Sequence, residues 1–382
     1  MQRPQQPGPA GRTAPGLLRG VGIRWRYAVK LFECQSCGQL LFFENRRCEK
    51  CGRQLGYLPE ANTLSALEAD GPSWRPLASP TWLYRFCANT AYDACNWLVP
   101  IHSPEIYCRA CRHNRVIPDL TGPGNILAWQ KLEAAKHRLL YTLLKLNLPL
   151  ENRIDRPDHG LTFDFLADPP GASGPKVSTG HHNGVITIAL AEADDAERES
   201  RRKAMGEPYR TLLGHLRHEV GHYFWERLVR DEGRLESFRA MFGDDREDYG
   251  QALQTHYGSG PPADWQDGSV SRYATTHAWE DFAETWAHYL HIVDTLEMAQ
   301  AFGLQVHPTL GQSGGLEAVF NCNPYRAGTV AELIEAWLPL TFALNSLGGC
   351  LGLSDLYPFI LSPAVITKLA FVHNLVHAQR PT

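Results

Sequence analysis

Residues 211–229 read TLLGHLRHEVGHYFWERLV, and the interpretation of this stretch governs that of the whole chain. It is apolar and helix-compatible, so a helix is expected from about residue 207 to 229. Residues four apart share a helix face, and His218 and His222 can therefore present two imidazoles to one Zn²⁺ with Glu219 beside them. Zinc lowers the pKa of a bound water to about 7, and a neighbouring carboxylate can take its proton during attack on a carbonyl and pass it to the leaving amine. Glu219 is the candidate general base. Asp there would shorten the reach, and Gln would abolish the basicity. The competing reading of five such residues is two solvent-facing histidines on a helix. His215 is a rival ligand, but pairing it with His218 leaves Glu219 without a clear role.

Zinc catalysis needs a third protein ligand and an open fourth position. Residues 273–291, YATTHAWEDFAETWAHYLH, place Glu280 and Glu284 four apart on a second helix. One acid can bind the metal while the other hydrogen-bonds a ligand histidine from behind. His277, His288 and His291 lie on or next to that helix and read as surface or core residues, and no third histidine closely follows His222. Upstream, Ile126–Leu150 has helical periodicity ending at a proline, while Leu161–Leu166 and Gly184–Leu190 read as strands.

The amino-terminal third is written in cysteine. Cys34-x-x-Cys37 and Cys48-x-x-Cys51 are separated by ten residues, and Gly38 and Gly52 directly follow the pairs. Each Cys-x-x-Cys-Gly forms a turn aiming two sulfurs at one point, and four thiolates close a structural tetrahedral zinc site. Leu40, Leu41, Phe42 and Phe43 supply the hairpin such a ribbon needs. Cys87, Cys95, Cys108 and Cys111 are spaced less regularly but would complete a second structural site. Cys322 and Cys350 stand alone in apolar surroundings and read as buried, inert thiols.

These motifs carry a resemblance. The string WEDFAE is similar to the Glu-x-x-x-Asp/Glu element of gluzincins, which implies Glu280 as zinc ligand and Glu284 as its support. Tyr273, seven residues before Glu280, resembles a tyrosine of the lethal-factor branch, which implies that its hydroxyl steadies the oxyanion of the tetrahedral intermediate. The full order, ribbon, a second cysteine group containing C-x7-CNWLVP, HEVGH and EDFAE, resembles a bacterial family of zinc-binding metallopeptidases with an amino-terminal zinc ribbon. The resemblance spans nearly the whole chain and implies an α+β zincin-like catalytic domain that hydrolyses peptide bonds. In zincin folds an edge strand near the metal pairs with extended substrate, and GVITIAL, residues 184–190, is the candidate.

Composition fits these expectations. Of 382 residues, 43% are hydrophobic and 20% charged, as in folded globular proteins. The net charge of −4 conceals a mildly basic start, since residues 1–60 hold ten Lys/Arg against four Asp/Glu. Four zinc-bound thiolates would reduce that excess below what nucleic acid binding calls for. The expected organisation is a flexible tail over 1–15, a zinc ribbon over 16–60, a second four-cysteine zinc module over 75–120 and the catalytic domain with carboxy-terminal helices over 121–382. One catalytic and two structural zinc ions are expected. No secretory signal is read at the start and no membrane span at Ala336–Ser354, which points to a reducing, cytoplasmic setting. The expected partner is a peptide or protein substrate, with a protein partner conceivable at the ribbons. Two other functions fit the same residues: a catalytically silent binding protein, or a zinc amide hydrolase acting on a conjugate or cell-wall fragment rather than a peptide.

Overall fold

Both Cys-x-x-Cys-Gly segments fold as tight knuckles in the computed structural model, which describes residues 30–169, 176–205, 211–310 and 314–379. The expected tail over 1–15 and residues 16–29 of the ribbon span lie outside the described residues. Gly38 and Gly52 adopt φ of +69° and +73°, a region that side chains resist, and their N–H groups donate to the Cys34 and Cys48 carbonyls at 2.9 and 2.8 Å. β1 (Leu31–Glu33) and β2 (Leu40–Phe42) flank the first knuckle and pair as an antiparallel hairpin, to which the run between the two knuckles supplies only the second strand.

Five antiparallel strands follow in spatial order: β3 (Leu55–Leu58), β4 (Thr63–Asp70), β5 (Ser73–Pro76), β6 (Tyr84–Phe86) and β7 (Leu98–Pro100). The sheet curls back on itself, so that the Tyr57 N–H donates to the Asn96 carbonyl at 2.9 Å and Tyr57 bridges to Trp97. It runs from the first cysteine group to the second. Its inner side is aromatic: Tyr57 lies 4.5 Å from Trp97 and 5.0 Å from Phe43, and Phe43 lies 5.4 Å from Tyr141, measured between ring centroids. Such stacked and edge-on pairs each add roughly 0.5–1.5 kcal/mol beyond the area they bury.

Tyr141 belongs to α1 (Asn125–Lys145), which therefore joins this amino-terminal unit to the rest. The helix stops earlier than its expected end at Leu150, because Asn147 turns to a positive φ of +57°. A second sheet holds β8 (Asn114–Val116), β9 (Thr162–Leu166), β10 (Gly180–His182) and β11 (Val185–Ala189) in the order β10-β11-β9-β8. The runs read as strands at 161–166 and 184–190 are β9 and β11, parallel neighbours. One expectation fails here. β11 is not an edge strand, because β10 pairs antiparallel along it from Val185 to Thr187, leaving β10 at the free edge among the described residues. A two-residue turn, Asn183 and Gly184 at φ of +45° and +78°, makes that hairpin.

The remaining helices are α2 (Asp195–Met205), α3 (Leu212–Trp225), α4 (Leu235–Phe242), α5 (Tyr249–Ser259), α6 (Trp265–Gly268), α7 (Ala278–Ala301), α8 (Val330–Cys350) and α9 (Pro363–His377). A π-helical turn, Glu226–Arg230, extends α3. α3 and α7 pack closely because Gly221 has no side chain: a Cβ there would stand 3.0 Å from Ala283 Cα and 3.2 Å from its carbonyl oxygen. Phe224 stacks on Trp286 at 4.7 Å beside this contact, and both are fully buried. The fold is thus a mixture of helix and sheet, as α+β implies. Pro339 sits inside α8, and no helix among the described residues is long and apolar enough to cross a membrane. Cys322 and Cys350 are exposed, contrary to the burial expected of them; Leu347 and Leu351 beside Cys350 face solvent as well.

Candidate metal centre and active site

Thr211 caps α3 by accepting the Gly214 N–H at 3.0 Å, which starts the helix nearly two turns before His218. His277 caps α7 in the same way, accepting the Trp279 N–H at 3.1 Å three residues before Glu280. The close contact of the two helices then brings both motifs together. His218 Nε2 and His222 Nε2 are 3.2 Å apart, and Glu280 Oε2 lies 2.9 Å from the first and 3.4 Å from the second. Ligand atoms around a tetrahedral zinc with bonds of about 2.0–2.2 Å are separated by about 3.4 Å, so the three atoms form a fitting triangle.

Proton placement strengthens that fit. His218 Nδ1 sits 2.7 Å from Glu284 Oε1, where only an N–H can be accommodated, and in the neutral ring this tautomer leaves Nε2 a lone pair. The lone pair faces a carboxylate oxygen, Glu280 Oε2, that is buried and has no hydrogen-bond partner. Two acceptors at 2.9 Å repel unless a proton or a metal ion lies between them. The donor set, two imidazoles and one carboxylate, is of the kind zinc takes. Burial alone would raise the Glu280 carboxyl, but the adjacent His222 and His218 rings hold it well below the usual carboxylate range.

Around the triangle the structure adds residues that sequence reasoning missed. Ser271 Oγ donates to Glu284 Oε2 at 2.6 Å, so Glu284 is gripped on both oxygens. Against the effect of burial, its His218 contact holds the Glu284 carboxyl down at about 2. Tyr249, from the start of α5, donates its hydroxyl to Glu280 Oε1 at 2.8 Å. Tyr273, in a 3-10 turn just before α7, stands with its ring 5.8 Å from that of His218. Burial and the Glu280 charge push its hydroxyl pKa up, so it stays a donor. Trp279 lies against His222 at 3.8 Å, and His181 of β10 stands 6.0 Å from both rings. No local pattern announces Tyr249 or Ser271. His181 had a signal, because Asn183-Gly184 after His181-His182 is a hairpin signature.

Glu219 is buried beside its ligand neighbours, and among the described residues its carboxylate has no hydrogen-bond partner. The other histidines are occupied elsewhere. His215 Nδ1 lies 3.1 Å from Glu192 Oε2, His288 Nδ1 2.8 Å from the Tyr357 hydroxyl, and His291 packs on Trp337.

Both cysteine groups converge as well. Cys34 and Cys51 sulfurs are 3.7 Å apart, Cys37 and Cys48 3.6 Å, and Cys95 and Cys108 3.7 Å. A tetrahedron of sulfurs about 2.3 Å from zinc has edges of about 3.8 Å. Each set of four lies within 4.8 Å.

With this geometry established, comparison with known proteins is specific. Residues 125–375 match the family described as "Putative zinc-binding metallo-peptidase". The chain belongs to that family. Residues 31–122, which hold both cysteine groups, match a zinc-ribbon domain. Uncharacterized proteins of Mycobacterium bovis and Mycobacterium tuberculosis are 42% identical over 357 residues, covering 92% of this chain and 96% of theirs. No solved structure matches the chain. The metallo-peptidase family match and the cysteine clusters together support zinc as the bound metal.

Proposed function

We propose that the chain is a zinc-dependent peptidase whose metal is held by His218, His222 and Glu280 and whose general base is Glu219. The observation that carries this reading is the lone pair of His218 Nε2 facing the unpartnered Glu280 oxygen at 2.9 Å, with a free carboxylate one residue along the same helix. Zinc, when bound, supplies Lewis acidity and lowers the pKa of a bound water to about 7. Glu219 takes the proton of the attacking water and delivers it to the leaving amine. Glu284 fixes the His218 tautomer and its direction. Tyr273, whose ring stands 5.8 Å from that of His218, donates to the developing oxyanion. Cys34, Cys37, Cys48 and Cys51, and Cys87, Cys95, Cys108 and Cys111, hold structural zinc.

Substrate binds as an extended chain along β10, the free edge beside His222, rather than along β11. Three residues of edge strand grip only a short segment by main-chain hydrogen bonds, so side-chain pockets contribute most of the selectivity.

Digestion of a diverse peptide library by the full chain tests this. The wild type is expected to cleave, and Glu219→Gln is expected to bind the same amount of zinc and lose at least about 100-fold in rate. Equal cleavage by both proteins overturns the assignment of the base. Failure of the zinc-loaded wild type to cleave any peptide, with release of amine from non-peptide amides, favours the amide-hydrolase alternative.

A further inference from the structure

The second cysteine group has more donors around it than one zinc ion can use. His137, from α1, inserts its Nε2 between two of the sulfurs, 3.3 Å from Cys95 Sγ and 3.6 Å from Cys111 Sγ. Its Nδ1 lies 2.6 Å from the Glu133 carbonyl oxygen, one turn earlier, so a neutral ring carries its proton there and turns Nε2 to the sulfurs. Metal-ligating histidines usually show this arrangement, with the second nitrogen donating to a backbone carbonyl. Glu133 adds a carboxylate: Oε1 accepts from Lys136 Nζ at 2.9 Å and Asn114 Nδ2 at 2.7 Å, while Oε2 turns to Cys111 Sγ at 3.7 Å. Cys111, Glu133 and His137 each bring a ligand atom within 4.8 Å of the others, and all three are buried.

We propose that Cys111, His137 and Glu133 hold a second zinc ion that shares the Cys111 thiolate with the ion held by all four cysteines. The cluster offers six donors, four sulfurs, one imidazole nitrogen and one carboxylate oxygen, which fill one tetrahedron and, with Cys111 counted twice, three corners of a second. His137 Nε2 at 3.6 Å and Glu133 Oε2 at 3.7 Å stand against the one sulfur that would be common, as this sharing requires.

Charge favours the pair over a single ion. Four thiolates and Glu133 bring five negative charges into a region where the Glu133 and Lys136 side chains are 0% exposed, and Lys136 offsets one of them. One Zn²⁺ leaves the buried cluster at −2, whereas two bring it to zero, and uncompensated buried charge is strongly disfavoured. The consequence is mechanical. Cysteines of the ribbon domain and side chains of α1 would ligate a common ion pair, and α1 packs against α3, the helix that carries His218.

Zinc per full-length chain, counted by native mass spectrometry after equilibration with Zn²⁺ alone, tests the proposal. Four ions are expected in the wild type, three in His137→Ala and three in His218→Ala/His222→Ala. Combining all three substitutions should leave two. The step between wild type and His137→Ala is the readout, and it stands whether or not the peptidase reading holds. A folded His137→Ala protein with the wild-type count overturns the proposal. If that variant does not fold, the wild type decides by zinc X-ray absorption: a zinc–zinc scattering path supports the pair, and its absence overturns it.

Discussion

At the scale of single residues, the centre depends on where protons cannot be. Glu284 takes the His218 Nδ1 proton at 2.7 Å and is itself held by Ser271 at 2.6 Å, so the lone pair on the far nitrogen is aimed before any metal arrives. Glu284 is thus a positioning residue. Glu284→Ala is expected to weaken zinc at this centre by roughly 10–100-fold while leaving the cysteine sites loaded, as removal of a ligand's orienting partner does elsewhere. Competition with a graded series of chelators reads this affinity; an unchanged value would remove Glu284 from the role. The motif residues were legible in sequence because their relation is local: spacing of four puts His218 over His222, and Glu280 over Glu284, on any helix. Tyr249 and Ser271 reach the same carboxylates from segments 31 and 13 residues away in sequence, and nothing in their immediate neighbours encodes that distance.

At the scale of elements, the centre exists because two helices touch at backbone level. Gly221 of HEVGH does no chemistry. Its missing Cβ lets Ala283 approach, and Ala283 lies between Glu280 and Glu284. Gly221→Ala should therefore cost about 1–3 kcal/mol through overpacking. Because His222 and Glu280 sit on the elements pushed apart, the variant should also lose zinc at the catalytic centre more readily than at the cysteines, which thermal unfolding and zinc counting together would reveal. The strand elements were read less well. The β-branched run of β11 is conspicuous, whereas β10, three residues long and containing two histidines, has little strand character of its own and owes its place to the Asn183-Gly184 turn. Apolar pattern therefore drew the substrate strand one position too far into the sheet.

At the scale of the molecule, the amino-terminal unit and the helical body share buried polar groups. Asp294 of α7 takes Lys30 at 2.7 Å, Thr142 of α1 at 2.6 Å and Arg217 of α3 at 2.5 Å, so one carboxylate links the start of the ribbon to the residue before His218. Helix and cysteine patterns in the sequence indicate the parts but not this joint, because its members are separated by tens to hundreds of residues. A second joint is His113, whose Nδ1 meets the Leu161 carbonyl at 2.8 Å between the ribbon domain and β9. Burial pushes its ring down to about 4, so it is neutral when folded at physiological pH. Between the unfolded pKa of about 6.5 and the folded value, the unfolded chain binds the proton first, and stability falls by about 1.4 kcal/mol for each unit of acidification. Chemical unfolding at pH 7.5 and 5.0 should show a smaller loss in His113→Gln than in the wild type, and equal losses would contradict the assignment. The central claim concerns a cation at the crossing of α3 and α7, and a zinc-edge anomalous difference map from crystals of the whole chain tests it most directly. A peak bounded by His218 Nε2, His222 Nε2 and Glu280 Oε2, alongside peaks at the cysteines, is the predicted result; peaks at the cysteines with none at that triangle would contradict it.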